Sequence, residues 1–596
     1  MERDYAPGNM RGMNDAYCEI DWPADAGGEA LQAAFTKPVE TLVAWRAEEV
    51  GPLLTRAEAL AGQGCWLVGF VAYEAASAFD AALAAHAAPE GMPLAMFAAF
   101  AEQSPLRPRH EFLTGIWRDT TSDAAFDEAV GGIRADIAEG RFYQVNYTTR
   151  LRALFLGDSA ALFDALRSAQ PGSHAIHLDF GRWQICSVSP ELFFRWSNGE
   201  GVPRRLALRP MKGTAPRHAD NIRDRQAAHD LRASEKERAE NLMIVDLLRN
   251  DASRVARLGS VEVPALFSVE PWSTVWQMTS TVECETRPEV GLAEVFSALF
   301  PCGSVTGAPK TEAMRGIVEL EREPRGVYCG ALGVIMPGGE ARFSVGIRTV
   351  TVDKHRGMAE CGIGSGIVLD STAEGEGEEW RAKQRFLRRA CPDYELLETM
   401  LWRRGRYWLR EEHLARLESS ALALGFAWDR VKIEAAMDEA ASEFGDGRWR
   451  VRLTLAGDGT ATVRGEPMQR MRGPVKASLA TQAVDSANPW LRHKTTRRGL
   501  YESLAVPGAF DTLLHNERGE ATEFTRGNLV VKMNGRLLTP AVSCGLLPGT
   551  FRATLLARGV VEEAIIRVDD LPAAEALWFV NSVRGAVRSE WLQWTA

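Results

Sequence analysis

Pro210-Met211-Lys212-Gly213-Thr214 sets a lysine beside a Gly-Thr pair, where a turn could hold its amine against a ligand. Downstream stand two glutamate pairs at helical spacing, Glu237/Glu240 and Glu376/Glu379. Residues three apart share a helix face, so each pair presents two carboxylates together. Converging carboxylates repel unless a cation or a positive substrate sits between them. Mg2+ suits such a cage, because it takes oxygen ligands and keeps positions for water and a substrate carboxylate. Lys383, four beyond Glu379, shares that face and could meet the anionic end of a ligand; the plain alternative is a solvated Glu-Lys surface pair. A second reactive-lysine candidate, Lys494, lies far downstream in a different neighbourhood. An activated amine with a carboxylate cage is equipment for chemistry on a small polyanion. Two such lysines predict two active sites on one polypeptide.

The elements that must position these groups are set by length and patterning. At 596 residues the chain exceeds what one core supports, which predicts two or three domains. Apolar Phe126, Val130, Ile133 and Ile137 recur at steps of three and four and predict a helix over 126–140, followed by a strand over 142–151. The segment 64–74 reads as strand, 217–257 as one or two helices with Leu242, Val245 and Leu248 on one face, and 327–336 with 341–352 as neighbouring strands joined by Pro-Gly-Gly. Cys361 to Gly366 reads as a glycine-rich turn and 374–390 as a helix. Helices and strands mix without regular βαβ alternation, which predicts an α+β fold with large antiparallel sheets. A break falls at 390–394, where Cys-Pro-Asp succeeds a basic helix end, and the chain beyond it starts afresh with short strands and a helix over 412–424. The short linker predicts halves that pack together.

Composition excludes several classes. A net charge of −10 and a pI of about 5.7 argue against non-specific nucleic-acid binding. No long apolar run suggests a membrane span, and the N-terminal MERDYAPGNMRGMND lacks the apolar centre of a secretory signal, which points to the cytoplasm. Nine scattered cysteines with no CxxC pair argue against zinc or a disulfide framework.

Ordered motifs add a resemblance. Gly-Arg-Phe-Tyr-Gln-Val-Asn (140–146), Ser-Pro-Glu-Leu (189–192), Arg-Ala-Glu-Asn-Leu-Met-Ile-Val-Asp (238–246), Gly-Ser-Val-Thr-Gly-Ala-Pro-Lys (303–310), Ile-Arg-Thr (347–349) and Gly-Ile-Gly-Ser-Gly-Ile-Val (362–368) run in the order of the chorismate-utilising enzymes. The stretch 122–390 resembles that family of anthranilate, aminodeoxychorismate, isochorismate and salicylate synthases. The resemblance implies that Glu240 and Glu379 ligate Mg2+, with Glu237 and Glu376 as supporting carboxylates. It further implies that Gly213, Thr214, Thr306, Tyr328, Arg348, Lys383 and the backbone of Gly364 and Gly366 hold the substrate, chorismate. Glu191 would protonate the departing C4 hydroxyl. Lys at position 212 is the mark of the aminodeoxychorismate synthases within the family and implies covalent catalysis, while Gln144 agrees with the branch that uses ammonia rather than water. Many relatives have His where this chain has Gln277, which cannot titrate. The N-terminal region is shorter than usual, so no feedback-inhibitor pocket is expected. No glutaminase is readable around any cysteine, so ammonia would come from a separate glutamine amidotransferase subunit or from solution.

Beyond the break, Leu-Glu-Thr-Met (397–400), His-Leu-Ala-Arg-Leu (413–417), His-Lys-Thr-Thr-Arg-Arg (493–498) and Gly-Leu-Leu-Pro-Gly-Thr-Phe-Arg (545–552) resemble fold-type-IV pyridoxal-phosphate enzymes. That resemblance implies that Lys494 holds pyridoxal 5′-phosphate and shuttles the proton, that Glu523 faces the pyridine nitrogen, and that Arg416 and Thr550 bind the phosphate. Relatives open with an extra strand-and-turn segment before the Glu-Thr block, packing that the first half would have to supply here; such relatives are commonly homodimers. The expected division is 1–118 (N-terminal part of a synthase), 119–391 (chorismate-binding catalytic domain) and 394–596 (lyase-like domain). The two halves together imply C4 amination of chorismate and then loss of pyruvate to give 4-aminobenzoate for folate synthesis. The rival expectations are an anthranilate-type synthase fused to an aminotransferase, and a synthase with a non-catalytic C-terminal scaffold.

Overall fold

The computed structural model describes residues 15–24, 29–197, 203–272, 275–471 and 473–593. The N-terminal stretch read for a secretory signal lies, except for its last residue, outside them. Two compact units emerge. The first comprises 1–108, 118–152 and 162–391; the second comprises 109–117, 153–161 and 392–596. The second unit thus takes two short segments from regions that a linear division gives to the first. Among the described residues no helix is long and apolar enough to cross a membrane, and all nine cysteines are free thiols.

In the first unit, helices and strands serve two large antiparallel sheets. One runs in the order 307–308, 144–157, 358–367, 349–353, 183–189, 174–179, 17–22 and 31–36; the other runs 211–216, 275–285, 205–209, 192–196, 341–345, 331–335, 66–71, 95–100 and 40–44. Cys18, Ile20, Ile176 and Ile185 of the first sheet share a core with Val68, Phe70, Leu332 and Val334 of the second, so apolar faces close against each other. The opposite face of the second sheet is covered by the helices Ala47–Gly62, Glu235–Ser253 and Leu292–Leu299. There Phe296 meets Phe343 edge-on with ring centroids 5.0 Å apart.

Local chemistry sets the helix starts that matter for the site. Ser234 Oγ accepts from Glu237 N (3.3 Å) at the head of Glu235–Ser253, and Thr372 Oγ1 accepts from Gly375 N (3.2 Å) at the head of Ala373–Lys383. Each cap fixes one glutamate pair in or just after a first turn.

Five sequence expectations change. Cys361 to Gly366 is no turn but part of the strand Met358–Ile367. Lys212 likewise lies in a strand, Met211–Pro216. The stretch 341–352 is two strands in different sheets, Ala341–Val345 and Thr349–Asp353, parted at Arg348, whose φ is +52°. Leu242 is 43% exposed, because the buried stripe of its helix runs instead through Asn241, Ile244, Val245 and Leu248. The helix expected over 374–390 is two, Ala373–Lys383 and Arg385–Ala390, meeting at Gln384.

The second unit holds a four-stranded antiparallel sheet (406–407, 396–403, 448–455, 461–467) and an eight-stranded mixed sheet whose strand Val475–Leu479 runs parallel to both Asp511–His515 and Gly585–Gln593. Its borrowed segments are structural. Phe112–Thr114 pairs with the end of the strand 144–157, Trp490 Nε1 donates to Phe112 O (2.8 Å), and Tyr394 Oη donates to Thr114 O (3.0 Å). Leu113 is buried in one core with Leu396, Leu414 and Trp490. Residues 109–117 therefore provide packing before the Glu-Thr strand.

Candidate functional site

The first site is built around a fault in a strand. Met211 pairs with Thr279 but Thr214 pairs with Gln277, so one extra residue is accommodated at Lys212-Gly213. Such a bulge re-aims a side chain, and Gly213 takes it with φ +90°. A Cβ there would stand 2.9 Å from Glu237 Oε2, so glycine also admits the neighbouring helix. Both carbonyls of the bulge are bound by buried amides: Asn241 Nδ2 donates to Lys212 O (3.5 Å) and Gln277 Nε2 to Gly213 O (2.9 Å). Gln277 is thus a backbone clamp, a task that needs a donor and no titration.

Lys212 faces a strand stripped of side chains. Gly362, Gly364 and Gly366 point to one side of Met358–Ile367, as alternation requires. A Cβ at 362 would lie 2.2 Å from the Tyr328 ring, and one at 364 would lie 2.5 Å from Tyr147 O. At 366 it would come within 2.0 Å of Gln144 Nε2 and 3.2 Å of Lys212 Nζ. These glycines serve close approach and not turning. Gln144 is buried, and neither atom of its amide has a partner.

Glu191 completes this group. Burial pushes its carboxyl up to about 7, against the opposing pull of a Ser304 hydrogen bond and the Lys212 and Lys383 ammonium groups, and Oε1 has no partner. Lys383 Nζ contacts Gly364 O and Glu379 Oε1 at 2.7 Å each; burial lowers its pKa although Glu379 opposes that. Arg348 donates to Lys383 O and lies over Phe386, and burial lowers its pKa too. Tyr328 is buried. Thr306 is also buried, but its hydroxyl donates to Cys302 O and Gly303 O (3.3 Å each), which makes it a turn lock. Thr214 is the exposed residue just past the bulge.

Of the carboxylate pairs, Glu237 is raised first by burial and then by the charges of Glu240 and Glu379, so these three face a common space. Glu379 is opposed by burial but held low by Lys383, Lys212 and Lys236. Glu376 is turned elsewhere: its two oxygens accept from Ser365 Oγ (2.5 Å) and Ser371 Oγ (2.7 Å). Among the described residues no three His, Cys, Asp or Glu side chains stand close enough to hold an ion. Oxygen donors under like-charge repulsion nevertheless have the chemistry that suits a hard cation.

The second site is a cavity of about 630 Å3 in the other unit. Lys494 opens into it from a loop tied to the Leu396–Arg403 strand, where Leu397 N donates to Lys494 O (2.8 Å). Burial, reinforced by Arg416, lowers its amine to about 8. Glu523 is pushed up to about 7 by burial while accepting from Tyr501 Oη (2.9 Å) and Leu547 N (3.1 Å). Arg416 forks onto Glu398 (2.8 and 2.6 Å) and donates to Pro548 O (3.1 Å). Burial opposes the charge of Glu398, yet Arg416 and His413 outweigh it and hold the group at about 2. Thr550 begins the helix Thr550–Ala557, with Oγ1 3.2 Å from His413 Nε2. At Gly549 a Cβ would stand 2.0 Å from Asn528 Oδ1. A buried amine, a protonatable carboxyl, an arginine and a helix N-terminus in one cavity are the donor set that pyridoxal phosphate requires.

Sequence reasoning missed Glu398, His413, Tyr501 and Asn241, although three of them lie within or beside motif blocks; being buried and polar, each needed a partner. It also missed the cavity rim. Arg452 and Arg464 are directly opposed on adjacent strands, line the cavity, and form no ion pair among the described residues.

Comparison with known proteins agrees with this division. Residues 99–389 match the family model described as chorismate binding enzyme, and residues 395–589 match amino-transferase class IV. Aminodeoxychorismate synthase component 1 of Salmonella typhimurium is 40% identical over 267 residues, which is 45% of this chain and 57% of that protein. Anthranilate synthase component 1 of Aquifex aeolicus is 37% identical over 274 residues, 46% of this chain and 54% of that one. The chain therefore spans little more than half of these relatives. A crystal structure of anthranilate synthase component I from Streptococcus pneumoniae superposes with a TM-score of 0.50 at 24% identity, covering 64% of this chain and 94% of that one, and shares the fold.

Proposed function

We propose that this chain, whose residues 99–389 match the chorismate binding enzymes and 395–589 the amino-transferases of class IV, is a bifunctional 4-aminobenzoate-forming enzyme. The first unit replaces the C4 hydroxyl of chorismate by an amino group, as the name of the Salmonella relative suggests; the second removes pyruvate from the product. The observation that carries this reading is the meeting of Lys212 with a buried Glu191 whose pKa is about 7, at a strand face kept bare by glycine.

In the first unit the Lys212 amine adds to C2 of the ring. The ring double bonds shift, the C4–O bond breaks, and protonated Glu191 gives its proton to the hydroxyl, which leaves as water. Ammonia then adds at C4, the C2–N bond breaks, and the amine of Lys212 is restored. Gln144, with an unengaged amide, is suited to orient the incoming nucleophile. Lys383 and Arg348 supply positive charge for the substrate carboxylates. Mg2+ held by Glu240 and Glu379, with Glu237 beside them, would screen those carboxylates. Ammonia would come from a partner glutamine amidotransferase.

In the second unit, pyridoxal phosphate would supply the electron sink for breaking a C–H bond. Lys494, with its pKa of about 8, takes the hydrogen from the aminated ring carbon as a proton and returns it to the departing enolpyruvyl group. Glu523 would keep a proton at the pyridine nitrogen, and Arg416 with the Thr550 helix start would hold the phosphate. Arg452 and Arg464, opposed on adjacent strands at the cavity wall, suit a substrate carrying two carboxylates. A cytoplasmic homodimer fits this reading.

The test is to incubate the protein with chorismate, ammonia and Mg2+, with and without pyridoxal phosphate. The aminated intermediate alone, converting to 4-aminobenzoate when the cofactor is added, is the expected result. Formation of 2-aminobenzoate would overturn the assignment in favour of an anthranilate-type synthase, the activity named for the Aquifex relative.

A further inference from the structure

A second cavity of the same unit, about 830 Å3, is lined by Arg403, Arg404, Arg448, Arg470, Arg584 and Arg588, with Asp446 as the acidic residue among its walls. Surface arginines elsewhere in the chain are commonly paired, as Arg46, Arg56, Arg152 and Arg430 are with glutamates. Among the described residues none of these six forms an ion pair. Their crowding has an electrostatic signature at the centre. Arg448 is half-buried, its Nε has no partner, and its pKa is lowered by burial and by the charges of Arg403 and Arg470. Like charges held together with a single carboxylate among them raise the energy of the empty cavity, and an anion would relieve it.

We infer that this cavity binds a small polyanion bearing a diphosphate group. Six guanidinium groups against one carboxylate leave a surplus of five positive charges, more than a monocarboxylate neutralises. The rigid fork of arginine matches phosphate oxygens in pairs, and guanidinium is easily desolvated. The volume exceeds that of diphosphate alone, and Trp402 and Trp408 form an aromatic wall for an organic part, with Arg403 already seated 5.0 Å over the Trp408 ring. The site is separate from the lysine cavity, but Arg584 lines both, so an anion here competes for a guanidinium that borders the other. The cavity would bind its anion whether or not the chain forms 4-aminobenzoate.

The test is calorimetric titration of the full-length protein, saturated with pyridoxal phosphate and free of Mg2+ so that the other anion sites are occupied or weakened. Inorganic pyrophosphate is the probe. One site per chain is expected, with inorganic phosphate binding at least about tenfold more weakly. Arg470→Gln, on an exposed segment, and Arg448→Gln should each weaken pyrophosphate about tenfold and the pair about a hundredfold. Cofactor absorbance and melting temperature check that the variants are folded. Tighter binding of adenosine diphosphate than of pyrophosphate would assign the organic part to the tryptophan wall; equal binding would assign the free ion. Unchanged affinity in both variants, or binding seen only above about 10 mM (a free energy under ~3 kcal/mol), overturns the inference. So does a dimer that Arg470→Gln dissociates without any pyrophosphate heat in the wild type, since this face would then be covered by a second copy.

Discussion

Two lysines, the same functional group, are prepared by opposite means in the two units. Lys212 is presented by a bulge in a strand and ringed by carboxylates: Glu191, Glu237 and Glu379 all feel its charge. Lys494 is presented by a loop and surrounded by guanidinium groups, with Arg416 helping burial to bring its amine to about 8. In the proposed reactions, carboxylates suit a site that gathers cations and then releases a hydroxyl, with a buried acid as the working partner. Arginines there suit a site that holds a phosphate and a dianion while an amine stays available as base. Placement differs as well. At the first site two side-chain amides fix the backbone of the lysine itself. At the second the lysine segment is stitched to a neighbouring strand by backbone hydrogen bonds and a Leu396–Thr495 bridge.

The contrast can be broken most severely at the second lysine. Lys494→Ala should reduce 4-aminobenzoate release by about a thousandfold or more, while the aminated intermediate accumulates at the wild-type rate. Both products are resolved by chromatography; a simultaneous loss of the first step would show that the sites are not independent. Glu191→Gln should slow amination by ~10²–10⁴-fold and leave pyruvate elimination from supplied intermediate intact. The wild-type amination rate should fall as pH rises through about 7, since the acid form is required. The same raised pKa makes wild-type stability decline between the ordinary carboxyl value of 4.5 and about 7, because over that range the folded state retains a proton that the unfolded state has lost. In Glu191→Gln the descending limb of the rate profile should flatten, and the stability decline should lose the share of Glu191 while that of Glu523 remains.

A smaller effect is expected at the rim of the arginine-rich site. Arg452→Gln with Arg464→Gln should raise KM of the second step by about tenfold per lost charged contact, with kcat little changed. Initial rates against intermediate concentration measure this, and an unchanged KM would remove the dicarboxylate argument. The smallest perturbation is steric. Gly366→Ala adds one methyl group where Gln144 Nε2 would be 2.0 Å away. It should cost about 1–3 kcal/mol of stability, measured by denaturant unfolding, and should impair amination while sparing elimination.

Much of this was legible in the chain. The glutamate pairs on helices, a strand within 64–74 (Trp66–Val71) and neighbouring strands within 327–336 and 341–352 (Ala331–Ile335 and Ala341–Val345) come from spacing that survives without tertiary context. What escaped was set by contact. Glycines at 362, 364 and 366 read locally as a turn because their alternation has no local cause; it is the Tyr328 ring, Thr148 and Gln144 across the gap that forbid a Cβ. The bulge at Lys212 depends on how a partner strand registers, and no property of Met211–Pro216 alone encodes it. The engagement of Glu376 by two serines, one from the adjacent strand, was likewise invisible to helical spacing.

Residue types and their order along the chain determined which chemical groups exist here: two candidate nucleophilic amines, an acid, a set of carboxylates and an excess of arginine. Only the folded structure decided which of them share a space and which are spent on backbone carbonyls or hydroxyls. The reason is range. A cap or a helical repeat is fixed by neighbours a few bonds away, whereas a pKa or an unpaired guanidinium depends on burial and charge contributed by segments far apart in the chain.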